Sequence, residues 1–227
     1  MNQYSYNDIA KMIDHSLLNP VLTDRELEDG CRVALEYDVA SVCIKPYYLR
    51  KCAEILKGST VKASTTIGFP HGGHCTSTKV AEAITALDDG GEELDMVVNV
   101  GKVLSGDWKF VRDDISAVME PTHKRGRILK VIFENCYLND TQKIKLCEIC
   151  SELGVDFVKT STGYGSGGAT IDDLRLMRKH CSPSVKVKAA GGVRDLDKLL
   201  EMRGIGVSRV GASRTAEILD ECRKRLA

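Results

Sequence analysis

Short runs rich in β-branched and apolar residues alternate along this chain with longer stretches whose apolar positions recur at helical spacing. The runs span Met12 to Leu17, Val39 to Lys45, Val61 to Phe69, Leu94 to Val100, Ile128 to Glu134, Asp156 to Thr160, Ser184 to Ala189 and Ser208 to Gly211, eight in all. Thr23-Asp-Arg-Glu26 reads as a capping-box start to a helix through about Tyr37. A second helix covers Thr141 to Leu153 and stops at Gly154. A third follows Thr170, with Asp172 and Asp173 in the first turn, where the helix dipole favours negative charge. Strands alternating with helices require parallel pairing and right-handed crossovers, and eight such units close into a (β/α)8 TIM barrel. Residues from about 3 to 11 read as an extra N-terminal helix over one end. An open doubly wound sheet would need a Gly-x-Gly-x-x-Gly turn after the first strand, where this chain has Asp14-His-Ser-Leu-Leu-Asn-Pro20.

Composition narrows the picture without changing it. A chain of 227 residues, 43% hydrophobic and 28% charged, can bury one large core, and no linker or repeat divides it. A single barrel domain over 1–227 is expected. Lys+Arg and Asp+Glu both count 32, so no overall charge favours nucleic acid or an anionic membrane, and an anionic ligand must be held locally. The N-terminus lacks a basic and then apolar signal region, and no apolar run approaches the roughly 18 residues of a membrane span. A soluble, cytoplasmic protein with small-molecule partners is expected. Nine cysteines, an odd number scattered through the elements, fit free thiols in a reducing compartment. Cys147-Glu-Ile-Cys150 has no second such pair and reads as the core face of a helix. His71-Gly-Gly-His74-Cys75 has no further ligand at close spacing and reads as a hydrogen-bonding loop rather than a metal site. Neither a metal nor an organic cofactor is expected.

The chemistry is concentrated where two consecutive strands end. Lys159 lies in Val155-Asp-Phe-Val-Lys-Thr-Ser-Thr-Gly163 and Lys188 in Val185-Lys-Val-Lys-Ala-Ala-Gly-Gly192. Adjacent strands are about 4.8 Å apart, so the two ammonium groups would face each other across one pocket. At roughly 6 Å and an effective dielectric of about 20, their repulsion is about 2.8 kcal/mol, or about two pKa units. One lysine becomes easier to deprotonate, and a neutral amine in a pocket attacks carbonyls. A lone strand-end lysine is usually just solvated; the pairing beside glycine-rich turns is what favours Schiff-base chemistry. Asp95 lies in an apolar strand and needs a lysine partner across the mouth, and Asp14 on the first strand offers the same kind of charge. Cys43 is given a lining role only. Lys186 and Lys130 (the latter with Glu134 on the same strand) are expected to pair with carboxylates. Small residues in Ala190-Gly191-Gly192, Gly211-Ala212-Ser213 and Thr160-Ser-Thr-Gly163 can bring backbone N–H groups and helix N-termini to a phosphate, although tight βα turns would need such glycines anyway.

These residues resemble those of the deoxyribose-phosphate aldolase family. The match runs from Ile13-Asp-His-Ser-Leu-Leu18 to Arg209-Val-Gly-Ala-Ser-Arg214. Its most specific pieces are Phe157-Val-Lys-Thr-Ser-Thr-Gly163, Val187-Lys-Ala-Ala-Gly-Gly-Val-Arg194 and the segment from Glu93 to Trp108. The resemblance implies a metal-independent class I aldolase that reversibly cleaves 2-deoxy-D-ribose 5-phosphate to D-glyceraldehyde 3-phosphate and acetaldehyde. By that analogy Lys159 matches the Schiff-base lysine, Lys188 the lysine that lowers its pKa while staying charged, and Asp95 the proton-relay carboxylate. Asp14 looks like the family's first-strand aspartate, and Thr162, Gly163, Gly191, Gly192, Gly211 and Ser213 match phosphate-binding positions. The chain departs from the common pattern in Phe69-Pro-His-Gly-Gly-His-Cys75, in Arg214 where a second serine is frequent, and in Tyr164 where some members have lysine. Those departures bear on substrate preference. A Schiff-base aldolase for another phosphorylated sugar, or an idle barrel that binds a phosphometabolite, are the competing readings. Barrels of this type often self-associate through outer helices, so a homo-oligomer is compatible with the sequence, which sets no oligomeric state.

Overall fold

The computed structural model describes residues 4–227. Eight parallel strands, β1 (Ile13–Leu17), β2 (Ser41–Ile44), β3 (Lys62–Ile67), β4 (Glu93–Val97), β5 (Ile128–Ile132), β6 (Phe157–Lys159), β7 (Lys186–Ala190) and β8 (Arg209–Ala212), pair in sequence order. β8 returns to β1, which closes the barrel. The helices are α1 (Tyr6–Ala10), α2 (Asp24–Glu36), α3 (Leu49–Leu56), α4 (Thr76–Asp88), α5 (Val100–Leu104), α6 (Trp108–Lys124), α7 (Asp140–Leu153), α8 (Ile171–His180), α9 (Leu196–Gly204) and α10 (Thr215–Leu226). The fold is therefore the (β/α)8 barrel that the alternation of elements predicts.

Local chemistry sets the boundaries. Thr23 and Glu26 form the capping box that starts α2, the Thr170 side chain caps α8, and Gly154 ends α7 in the left-handed region at φ 75°. The fourth strand stops at Val97 rather than Val100 because Asn99 turns to cap α5, its side chain accepting the Lys102 N–H at 3.1 Å. The extra helix is shorter than expected, Tyr6–Ala10 after the Ser5 cap, and position 3 lies outside the described residues. It is tied to the N-terminal end of the barrel, where the Tyr6 hydroxyl donates to the Tyr37 carbonyl and Lys11 donates to Asp38.

Strand parity divides the protein into two environments. Ile13, Val42, Ile44, Leu94, Met96, Leu129, Val131, Val158, Val187 and Val210 point outward and join the apolar core between sheet and helices. Cys147 and Cys150 are buried on α7, as a core-facing helix requires, and all nine cysteines are free. Alternate positions point inward, and there the barrel is charged. Asp14, Glu93, Asp95, Lys130, Lys159, Lys188 and Arg209 meet across the interior through ion pairs. Among the described residues, no helix is long and apolar enough to cross a membrane.

Candidate active site

The register places Lys159 of β6 directly beside Lys188 of β7. Their nitrogens share one carboxylate oxygen: Asp95 Oδ2 accepts from Lys159 Nζ at 2.8 Å and from Lys188 Nζ at 2.7 Å. They are thus brought within the roughly 6 Å over which one ammonium strongly perturbs another. Asp14 Oδ2 holds the other side of Lys188 at 2.5 Å. Lys159 and Lys188 are 3% and 1% exposed, so this charge is screened little by water.

Below the pair lies a layer that sequence reading only partly anticipated. Lys130 contacts Glu93 at 2.6 Å, Asp95 Oδ1 at 2.9 Å and Asp14 at 3.2 Å, which gives it the carboxylate partners expected of it. Arg209 from β8 bridges Asp14 at 2.5 Å and Glu93 at 2.7 Å, and Ser41 donates to Asp14 Oδ1 at 2.7 Å. Glu93 and Arg209 were missed, because each opens a strand that looked apolar or too short to read; their parity with Asp95 and with Gly211 was the available signal. Lys186 corrects the other half of that expectation. It is exposed at the first position of β7, lies 5.5 Å over the Phe157 ring and makes no ion pair among the described residues.

The charge count decides the electrostatics. Lys130, Lys159, Lys188 and Arg209 face only Asp14, Glu93 and Asp95 in this interior layer. Burial opposes charge on Asp95 and Asp14, yet Lys130, Lys159 and Lys188 hold the first, and Arg209, Lys130 and Lys188 the second, well below the usual carboxylate range. Lys130 is held well above its ordinary value, its burial outweighed by Asp14, Asp95 and Glu93. Within the pair the two shifts run in opposite directions. Burial lowers Lys188, with Lys130 and Lys159 adding to it against the pull of Asp14 and Asp95, whereas Asp95 overcomes burial at Lys159 and raises it. On these directions Lys188 is the more easily deprotonated amine, its burial outweighing both of its carboxylates. Cys43 is buried beside them with its thiol pushed up by burial and then by Asp95, in keeping with a lining role.

Above the lysines opens a cavity of about 500 Å³. Every phosphate-site candidate, Thr162, Gly163, Gly191, Gly192, Gly211 and Ser213, lines it, together with Asp14, Cys43, Lys159 and Lys188; Asp95 lies beneath, fully buried. Gly191 is needed at its position: its φ is +81°, and a Cβ there would lie 2.8 Å from the Gly168 Cα. Two arginines, Arg194 and Arg214, also line the cavity. Tyr164 crosses the mouth, its hydroxyl donating to the Leu18 carbonyl at 2.7 Å and its ring edge-on to Phe69 at 5.5 Å. His71 and His74 are absent from the main lining; His71 borders an adjoining space of about 110 Å³. No three His, Cys, Asp or Glu side chains among the described residues gather as a metal site.

A closed parallel barrel that gathers a lysine pair under a cavity at its C-terminal mouth is built as barrel enzymes are, and comparison with known proteins narrows the class. The model of the DeoC/LacD family aldolases matches residues 9–213. A deoxyribose-phosphate aldolase of Rhodopirellula baltica is 64% identical over 226 residues, covering 100% of this chain and 94% of that protein. One from Thermococcus gammatolerans is 46% identical, covering 95% and 97%. The deoxyribose phosphate aldolase of Aeropyrum pernix, described as a tetramer, superimposes with a TM-score of 0.89 at 30% identity, covering 98% of this chain and 94% of that one. The chain belongs to the DeoC/LacD family of aldolases, and as an aldolase it is a lyase.

Proposed function

We propose that this chain reversibly cleaves 2-deoxy-D-ribose 5-phosphate to D-glyceraldehyde 3-phosphate and acetaldehyde through a Schiff base on Lys159. The observation that carries the reading is the single Asp95 oxygen shared by two buried lysine nitrogens under a cavity rimmed by glycine and serine turns. The deoxyribose-phosphate aldolases of Rhodopirellula baltica and Thermococcus gammatolerans support the choice of substrate.

Of the two lysines that line the cavity, Lys159 is the nucleophile because it makes one carboxylate contact, whereas Lys188 is held between two carboxylates. With four cations against three carboxylates, one lysine gives up a proton at low cost, and burial makes Lys188 the more ready of the two to do so. A proton then passes from Lys159 through Asp95 Oδ2 to Lys188, which leaves Lys159 neutral and Lys188 charged with the total charge unchanged. Neutral Lys159 adds to the C1 carbonyl of the open-chain sugar, and with a proton returned from Lys188 the carbinolamine loses water to give the iminium. Asp95, through a water, takes the proton of the C3 hydroxyl; the C2–C3 bond breaks as its electron pair flows into the iminium, which yields glyceraldehyde 3-phosphate and an enamine. Protonation of the enamine at C2 and hydrolysis release acetaldehyde and restore the amine. The turns at Thr162–Gly163, Gly191–Gly192 and Gly211–Ser213, with Arg194 and Arg214, hold the 5-phosphate by backbone N–H groups and charge. Self-association of this chain belongs to the same proposal, on the tetramer described for the Aeropyrum pernix relative.

Steady-state cleavage across a panel of sugar phosphates tests the substrate. Deoxyribose 5-phosphate should have the highest kcat/KM; a much faster turnover of another phosphorylated sugar would displace it.

A further inference from the structure

Glu134 follows β5 in a conformation that few side chains adopt, at φ 57° and ψ 63°. The N–H groups on either side of it, of Phe133 and Asn135, donate to the carbonyls of Lys159 and Thr160, both at 2.9 Å. Two steps along the first segment thus match one step along the second, which is the mark of a β-bulge, a device that re-aims a side chain beside a site. The re-aimed carboxylate is 3% exposed and belongs to none of the ion pairs around the lysines. Its Oε1 accepts the Thr162 N–H at 3.0 Å and its Oε2 accepts the Thr162 hydroxyl. That hydroxyl oxygen in turn accepts the Tyr164 N–H at 3.0 Å. Gly165 lets the chain close over the carboxylate, since a Cβ there would lie 3.1 Å from Glu134 Cδ and 2.8 Å from Cys136 Sγ.

We infer that Glu134 is a positioning residue for the phosphate end of the cavity, fixing the Thr162–Tyr164 turn against the strand that carries Lys159. The inference rests on the aldolase reading above. A glutamine at 134 would keep the acceptor for the Thr162 N–H but turn an N–H2 group toward the hydroxyl. The hydroxyl would then have to accept where it now donates, and the charge-assisted bond that fixes the turn would be lost.

The test compares Glu134→Gln and Thr162→Val, singly and together, on 2-deoxyribose 5-phosphate and on unphosphorylated 2-deoxyribose, with titration calorimetry of inorganic phosphate alongside. The expected result is a KM for the phosphorylated sugar raised about tenfold and a preference for it over the unphosphorylated sugar reduced about tenfold, the size of a lost charge-assisted hydrogen bond. The double variant should be little worse than either single one, because both break the same contact. Equal loss of kcat on both sugars, or an unchanged preference, would overturn the inference. If Glu134→Gln fails to fold, Thr162→Val carries the same comparison without touching the charge. Ser213→Ala separates the two readings. Weaker phosphate binding in Ser213→Ala but not in the Glu134 and Thr162 variants sinks the role of Glu134 alone. Unaltered binding in all of them sinks the phosphate end of the aldolase reading, and the inference with it.

Discussion

Replacing Lys188 by methionine, which keeps the length and removes the charge, probes the coupling at the centre of the site. In the native interior four cations face three carboxylates; the variant leaves three against three, with Lys159 opposite Asp95 and no competing ammonium. Two charges about 5 Å apart at an effective dielectric of about 20 repel by about 3.3 kcal/mol, or about 2.4 pKa units. Without that repulsion, and without Lys188 to receive its proton, Lys159 stays protonated to higher pH. Only the neutral amine reacts, so below its pKa the rate falls tenfold for each unit by which that pKa rises. The acid limb of kcat/KM should therefore move up by about two units, with about 100-fold less activity near neutral pH and recovery as the pH approaches about 10. A pH profile of sugar cleavage by both proteins reads this directly. A profile lowered equally at every pH, with its acid limb where it was, would show that Lys188 does not set the protonation of Lys159.

Two further outcomes follow from particular residues. His15 is 5% exposed, bonds the Thr215 hydroxyl at 2.7 Å, and burial pushes its imidazole down to about 4. The unfolded chain takes up that proton first, at about pH 6.5, so the stability from a neutral His15 is complete above about 6.5 and is lost as the pH falls toward 4, about 3 kcal/mol in all. His15→Asn should flatten denaturant midpoints between those pH values; an equally steep decline would refute the role of His15. Gly191→Ala meets both a positive φ of +81° and the Gly168 backbone at 2.8 Å, whereas Gly192→Ala, at φ +88°, meets open space. Urea unfolding should show a loss of about 1 kcal/mol for Gly192→Ala and at least about 1 kcal/mol more for Gly191→Ala; equal losses would show that the close approach of the two loops does not matter.

Much of this was legible in the sequence because the signals were local. Alternation of elements defines the barrel, the Thr23–Glu26 box and Gly154 delimit their helices, and equal distance from the strand ends predicts that Lys159 and Lys188 are neighbours. What was not legible depends on contacts across the barrel. Asp95 was expected to pair with a lysine across the mouth, but it lies between two and bonds both through one oxygen. Arg209 shares its inward parity with Lys188, but which carboxylates it reaches depends on how far β8 is staggered against β1 and β4, which no residue announces. Lys186 shares the parity of Lys188 one layer deeper and was expected to pair with a carboxylate, yet as the first residue of its strand it emerges into solvent. Glu134 was read as part of a regular strand because a bulge leaves no mark on glutamate in a sequence; only the backbone pairing of Phe133 and Asn135 discloses it.

Borohydride reduction in the presence of deoxyribose 5-phosphate or acetaldehyde, followed by peptide mass mapping, tests the proposed chemistry most directly. A reduced two-carbon adduct from acetaldehyde on Lys159, absent from the Lys159→Ala variant, is the expected result. An adduct carried by Lys188, or turnover without any trapped amine, would contradict it.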